Sequence, residues 1–96
     1  MNMFKSIDEQ LKDLGFYKLA SDDEKEDYYG VCYRKDRGIY VQRLDIRHKA
    51  NGRHIIQSYQ EGINSDGFNN VVGLTYKETK LAMKKYKQLK RKYKWS

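Results

Sequence analysis

The chain has 96 residues, room for one compact domain and too little for two independent cores. Its 20 Lys+Arg against 13 Asp+Glu give a formal charge of +7, while 39% hydrophobic and 14% aromatic residues, with nine tyrosines, exclude a disordered chain. No apolar run approaches the roughly 20 residues needed to cross a bilayer, the start has no signal-peptide pattern, and Cys32 alone excludes an internal disulfide or a cysteine metal cluster.

The expected location is therefore cytoplasmic, away from membranes. The charge is unevenly spread. Residues 1–37 hold seven Lys/Arg against nine Asp/Glu, residues 38–74 four against three, and residues 75–96 nine against one. One quarter of the chain thus supplies the whole excess.

Phe4, Ile7, Leu11 and Leu14 recur at helical spacing and Gly15 follows as a stop, which predicts a first helix ending near Leu14. Asn2 or Ser6 caps its start, and Ser6 with Glu9 has capping-box spacing. Phe16, Tyr17 and Leu19 return apolar groups to the core, and the acidic stretch Asp22, Asp23, Glu24, Glu26 and Asp27 reads as a solvated loop.

From residue 28 the period changes to two, giving strand candidates at 28–35, 39–48 and 53–60. A two-residue turn at Asn51-Gly52 sets Leu44 against Tyr59, Ile46 against Gln57 and His48 against Ile55. Tyr40, Leu44, Ile46, Ile55 and Tyr59 then face the core, with Arg43, Asp45, Arg47, Lys49, His54 and Ser58 on the other side. A two-residue turn at Arg37-Gly38 puts Val31 opposite Leu44 and Tyr33 opposite Gln42, adding Tyr29, Val31 and Tyr33 to the core face. A three-residue turn with Gly38 in a bulge puts Gly30 and Cys32 there instead. Residues 61–73 form a long polar connection, rich in turn residues around Asn64-Ser65-Asp66-Gly67 and Asn69-Asn70, with a short piece at Val71-Val72.

Thr75 and Glu78 form a second capping box that opens the last helix. Thr79, Ala82, Met83, Tyr86, Leu89 and Tyr93 share one side of it. Lys80, Lys84, Lys87 and Arg91 share another, at steps of four, three and four, extended by Lys77 and Lys94. The resulting expectation is a single α+β domain spanning 1–96, in the order α-β-β-β-α, with both helices packed on one face of a three-stranded antiparallel meander.

The basic stripe is the main functional candidate, because cations along one helix face neutralise nucleic-acid phosphates and release counterions. Lys77, Lys80, Lys84, Lys87, Arg91 and Lys94 are its members, and Arg43 and Arg47 on the polar sheet face form a second basic patch. The partner expected is a DNA or RNA backbone. Tyr28, Ile39, Val41 and Ile56 make the outer sheet face less polar than solvent requires, so a protein partner or a homodimer through that face is the alternative. Tyr76, Tyr86, Tyr93 and Trp95 interleave with the lysines; Tyr86 and Tyr93 are assigned to packing, leaving Tyr76 and Trp95 as candidates to stack on bases.

No catalytic site is expected. In this register Cys32 and His54 lie about six residues apart along the strands, roughly 20 Å, beyond hydrogen-bond reach. His48 and His54 fall on opposite faces, which argues against a shared metal. Gly62, Gly67 and Gly73 lack the spacing and lysine of a phosphate-cradling loop. No cofactor is implied.

The α-β-β-β-α order resembles the double-stranded RNA-binding domain, in which the second helix offers lysines to phosphates, and the resemblance implies phosphate contacts from the last helix here. Small toxin ribonucleases share that architecture, and Leu11-Lys12-Asp13-Leu14-Gly15-Phe16 is similar to the end of their first helix. Where they carry a histidine after a Gly-Ser pair, this chain has Tyr29-Gly30-Val31 with no such histidine, so the likeness implies a small toxin-like ribonuclease only as a third reading behind the two binding readings, in which RNA cleavage would depend on His48 or His54. The segments Asp45-Ile46-Arg47-His48-Lys49-Ala50-Asn51-Gly52-Arg53-His54 and Val72-Gly73-Leu74-Thr75-Tyr76-Lys77-Glu78 are similar to small proteins of phages and prophages of Gram-positive bacteria. That similarity implies an accessory or host-directed role, often exerted by binding another protein.

Overall fold

A computed structural model describes residues 5–18, 25–62 and 70–96. The expectations for Asn2, Phe4, Leu19, Asp22, Asp23, Glu24 and residues 64–67 and 69 lie outside the described residues. The elements are α1 (Ile7–Asp13), β1 (Tyr17–Lys18), β2 (Gly30–Asp36), β3 (Val41–Arg47), β4 (Ile55–Gln60) and α2 (Tyr76–Tyr93). The class is α+β as expected, but the antiparallel sheet has four strands in the order β1-β2-β3-β4, not three. The added strand is only two residues long, too short to show a period: Tyr17 pairs with Arg34 and Lys18 with Tyr33.

Local chemistry sets the helix limits. The Ser6 hydroxyl accepts from the Glu9 N–H at 3.0 Å and the Glu9 carboxylate accepts from the Ser6 N–H at 3.3 Å, closing the first capping box. At the other end Gly15, at φ +94°, donates to the Lys12 carbonyl and Phe16 to the Leu11 carbonyl, both at 2.9 Å. That double hydrogen bond stops α1 and presses Phe16 onto Leu11, both fully buried. Thr75 and Glu78 cap α2 in the same way, and Lys94 in the left-handed region turns the chain back after Tyr93.

Both hairpins depart from the expected turns. Between β2 and β3 the loop is residues 37–40, with the Arg37 N–H on the Tyr40 carbonyl at 2.9 Å, so Val31 pairs with Ile46 and Tyr33 with Leu44. The shift is by two residues and keeps Val31, Tyr33, Leu44 and Ile46 on the core face, as expected; Tyr29 is instead exposed, and Tyr40 lies in the loop.

The second shift changes faces. Gly52 donates to the Lys49 carbonyl at 2.9 Å with φ +79°, while the Asn51 side chain accepts from the Arg53 N–H at 3.0 Å. The loop is thus the three residues 50–52, a turn followed by a left-handed glycine, and not the two-residue Asn-Gly turn. Leu44 now pairs with Ser58, Ile46 with Ile56 and Arg47 with Ile55. A slip of one residue inverts the strand, so Ile55 and Tyr59 lie on the outer face and Ile56 and Ser58 on the helix-covered one.

One core unites Leu11, Phe16, Val31, Tyr33, Leu44, Ile46, Leu81, Ala82, Leu89 and Trp95, which places both helices on the same sheet face. Gly30 marks its closest backbone approach: at φ +128°, a Cβ there would sit 2.0 Å from the Ile46 carbonyl oxygen. Trp95, a candidate to stack on bases, is instead buried and donates from Nε1 to the Tyr28 carbonyl at 2.7 Å. Residues 70–72 lie along the β4 edge, where Val71 bridges to Tyr59, Gln60 donates to the Asn70 carbonyl and Val72 to the Ser58 carbonyl. Among the described residues no helix is long and apolar enough to cross a membrane.

Candidate nucleic-acid interface

The core side of α2 carries Glu78, Leu81, Ala82, Lys85 and Leu89. This line is rotated from the expected Thr79-Ala82-Met83-Tyr86-Leu89-Tyr93 side: Thr79 and Met83 are exposed, and a lysine takes a core position. The reason is neutralisation from outside the helix. Lys85 Nζ lies 2.8 Å from Glu26 and 3.3 Å from Asp8, and donates to Gln88 at 3.0 Å. Glu26 also holds Lys92 at 2.7 Å, and Asp8 holds Lys18 at 2.8 Å and the Tyr33 hydroxyl.

Burial alone would raise both carboxyls, but hydrogen bonds and charge outweigh it. Lys18 and Tyr33 hold Asp8 below its ordinary value, and Lys85 and Lys92 hold Glu26 down at about 2. Tyr33 is driven the other way, first by burial and then by its hydrogen bond to Asp8, so it stays a phenol.

Away from this cluster, the other cations of α2 have no ion-pair partner among the described residues. At 3.6 residues per turn, positions 77, 80, 84, 87, 91 and 94 fall within about 100° of arc on the side away from the core, along roughly 25 Å of axis. All six are exposed, and among the described residues none has an ion-pair partner. The nearest acid in sequence, Glu78, is buried, closes the cap and lies 3.6 Å from Lys35. Exposed Tyr76 shares the face, with Lys80 Nζ 5.3 Å from its ring centroid. Lys90, three residues after Lys87, is exposed and borders the same surface, although the helical wheel places it on the expected apolar side with Met83 and Tyr86.

The structure does not bring Arg43 and Arg47 to this surface. By strand alternation they lie on the opposite face of the sheet, in a network of their own. Arg43 Nε donates to Asp45 at 2.9 Å, the Tyr59 hydroxyl donates to Asp45 at 2.6 Å and Gln57 adds a third bond at 3.2 Å. Asp45 is 2% exposed, and these donors hold its carboxyl below the ordinary value against the effect of burial. Arg47 and Arg43 donate to Cys32 Sγ at 2.8 and 3.3 Å, and Arg34 and Arg43 reach Glu61. Burial, and then Asp45, push the Cys32 thiol up to about 11.

The apolar residues expected to form a protein contact are divided. Ile39 is 94% exposed in the β2–β3 loop, Val41 lies on the outer face, and Ile56 sits beside Ile46 on the helix side. Tyr28 also lies on the helix side, its ring against His48 and Tyr93.

His48 and His54, expected on opposite faces, are brought together, with their Nδ1 atoms 3.1 Å apart. The three-residue loop accounts for this: continuing the pairing of Arg47 with Ile55 by one step sets the histidines side by side. No protein-family model, no curated protein and no solved structure matches the chain significantly.

Proposed function

We propose that this protein is a non-enzymatic binding module that contacts nucleic-acid phosphates through the exposed face of α2, without reading sequence. The observation that carries the reading is a selective one. Asp8 and Glu26 neutralise Lys85 and Lys92, while Lys77, Lys80, Lys84, Lys87, Arg91 and Lys94 stand on one face with no acid among them.

A solvated helix face ordinarily alternates in sign, which lowers its energy. Like charges three or four residues apart instead destabilise a helix by about 0.2–0.5 kcal/mol per pair, and this stripe contains five such steps. A row of phosphates relieves that repulsion and releases its own counterions in exchange. The resemblance in element order to double-stranded RNA-binding domains makes an RNA duplex the first ligand to try.

Replacing Lys80, Lys84, Lys87 and Arg91 together by glutamine keeps helix propensity and removes four cations. On duplex DNA the slope of log K against log salt should then flatten by about 3–4, at roughly 0.9 per lost phosphate contact. Wild-type protein that retards neither DNA nor RNA at low salt, or a quadruple variant with an unchanged slope, would refute the reading.

A further inference from the structure

His48 and His54 flank the β3–β4 loop and are half-buried, with Nδ1 of each ring 3.1 Å from the other. The backbone oxygen of Ser96 defines how the neutral pair is protonated. It lies 2.8 Å from His54 Nε2 and can only accept, so His54 carries its proton on Nε2 and presents a bare Nδ1. His48 then donates from its own Nδ1. Trp95 stacks on both imidazoles, with centroids 5.3 and 5.0 Å away, and Tyr28 meets His48 edge-on at 4.8 Å. Neither ring can swing away without breaking that packing.

We propose that His48 Nδ1 and His54 Nδ1 form a two-histidine chelate for a divalent transition-metal ion. Metal–imidazole bonds of about 2.0–2.1 Å to nitrogens 3.1 Å apart subtend about 98° at the ion, between a square-planar or octahedral cis angle and a tetrahedral one. Binding needs one internal rearrangement: His48 moves its proton from Nδ1 to Nε2, stays neutral, and leaves both Nδ1 lone pairs for the metal. The Ser96 oxygen on His54 Nε2 is the outer hydrogen-bond partner that ligating histidines ordinarily have, and it orients the ring. Among the described residues no group of three or more His, Cys, Asp or Glu is placed to bind metal, so water completes the shell. Two imidazoles and water favour Cu2+ over Zn2+ and Ni2+.

Trp95 is the only tryptophan in the chain and touches both rings, which makes it a built-in reporter. Titrating untagged protein with Cu2+ in a non-coordinating buffer near neutral pH should quench its fluorescence to saturation at one equivalent. The electron paramagnetic resonance spectrum of that complex should show coupling to two imidazole nitrogens. His48→Gln and His54→Gln should each remove the saturable phase, with helix content followed by circular dichroism. A second measurement needs no variant: Zn2+ added to wild-type protein should shift the Nδ1 resonances of both histidines. Quenching that does not saturate or survives in both folded variants, or Zn2+ that leaves both Nδ1 resonances in place, would overturn the proposal.

Discussion

Replacing Glu26 by glutamine should cost stability in a way that disappears in acid. Glu26 is 10% exposed at the side chain and receives Lys85, Lys92 and the Tyr93 hydroxyl, with Lys18 at 3.8 Å. Burial raises its carboxyl and the hydrogen bonds from Lys85 and Lys92 lower it further than burial raises it, taking it from 4.5 to about 2. Because the folded value is the lower one, the carboxylate stabilises the fold fully above pH 4.5. That contribution is lost as the pH falls toward 2, where the folded state takes up the proton as well.

The difference amounts to about 3 kcal/mol above pH 5, roughly half of that at pH 3 and little at pH 2, before solvent screening reduces it. Glutamine keeps the shape but leaves the Lys85 ammonium, 5% exposed, with Asp8 as its remaining acid among the described residues. Breaking a buried pair by removing one partner costs about 3–5 kcal/mol, and because Lys85 keeps Asp8 and Gln88 the loss here should fall at or below the lower end of that range. Urea unfolding of wild type and Glu26→Gln at several pH values measures the gap, which at neutral pH corresponds to a midpoint drop of roughly 2 M. A gap under about 0.5 kcal/mol at pH 7, or one that stays constant between pH 5 and pH 3, would refute the reasoning.

Two further outcomes are expected. Gly30→Ala adds a Cβ 2.0 Å from the Ile46 carbonyl oxygen at φ +128°, so neither the residue nor the facing backbone can accommodate it; thermal unfolding should show a loss above about 3 kcal/mol, and a midpoint within a few degrees of wild type would contradict the close approach. Cys32 is fully buried and its thiol is pushed up to about 11 from 9.0, so alkylation by iodoacetamide near pH 8 should be slower in the native protein by about 100-fold or more than in urea, and equal rates would contradict the Arg–Cys–Asp arrangement.

What the sequence discloses here is what is decided within a few residues. Both capping boxes, the Gly15 stop and the strand faces carrying Val31, Tyr33, Leu44 and Ile46 are local matters, and the structure has them where the residues say. The orientation of β4 hung on a single residue of loop length. Asn51-Gly52 supports a two-residue turn, in which both residues are left-handed, and equally a three-residue turn in which only Gly52 is. The Asn-Gly signal points to the first, which would bury Ile55 and Tyr59. The second prevails because Tyr59 in the outer face gives its hydroxyl to Asp45, a partner the alternation pattern does not represent. The histidine pair follows from the same residue of difference.

The phase of α2 has the same kind of cause. A helical wheel ranks sides by hydrophobicity, and on that scale a side containing Glu78 and Lys85 is not a core. It becomes one because Asp8 and Glu26, far away in the chain, neutralise Lys85 while Glu78 closes the cap beside Lys35. The long lysine stem then packs as an apolar group with its ammonium satisfied. This rotation decides which cations can meet a ligand. Lys85 and Lys92 are drawn into internal pairs, Met83 and Lys90 are exposed, and the six stripe residues are left as the face of α2 whose charge nothing in the described protein balances. The excess of cations in residues 75–96 is therefore displayed largely on one face of α2, where they act together on any approaching anion.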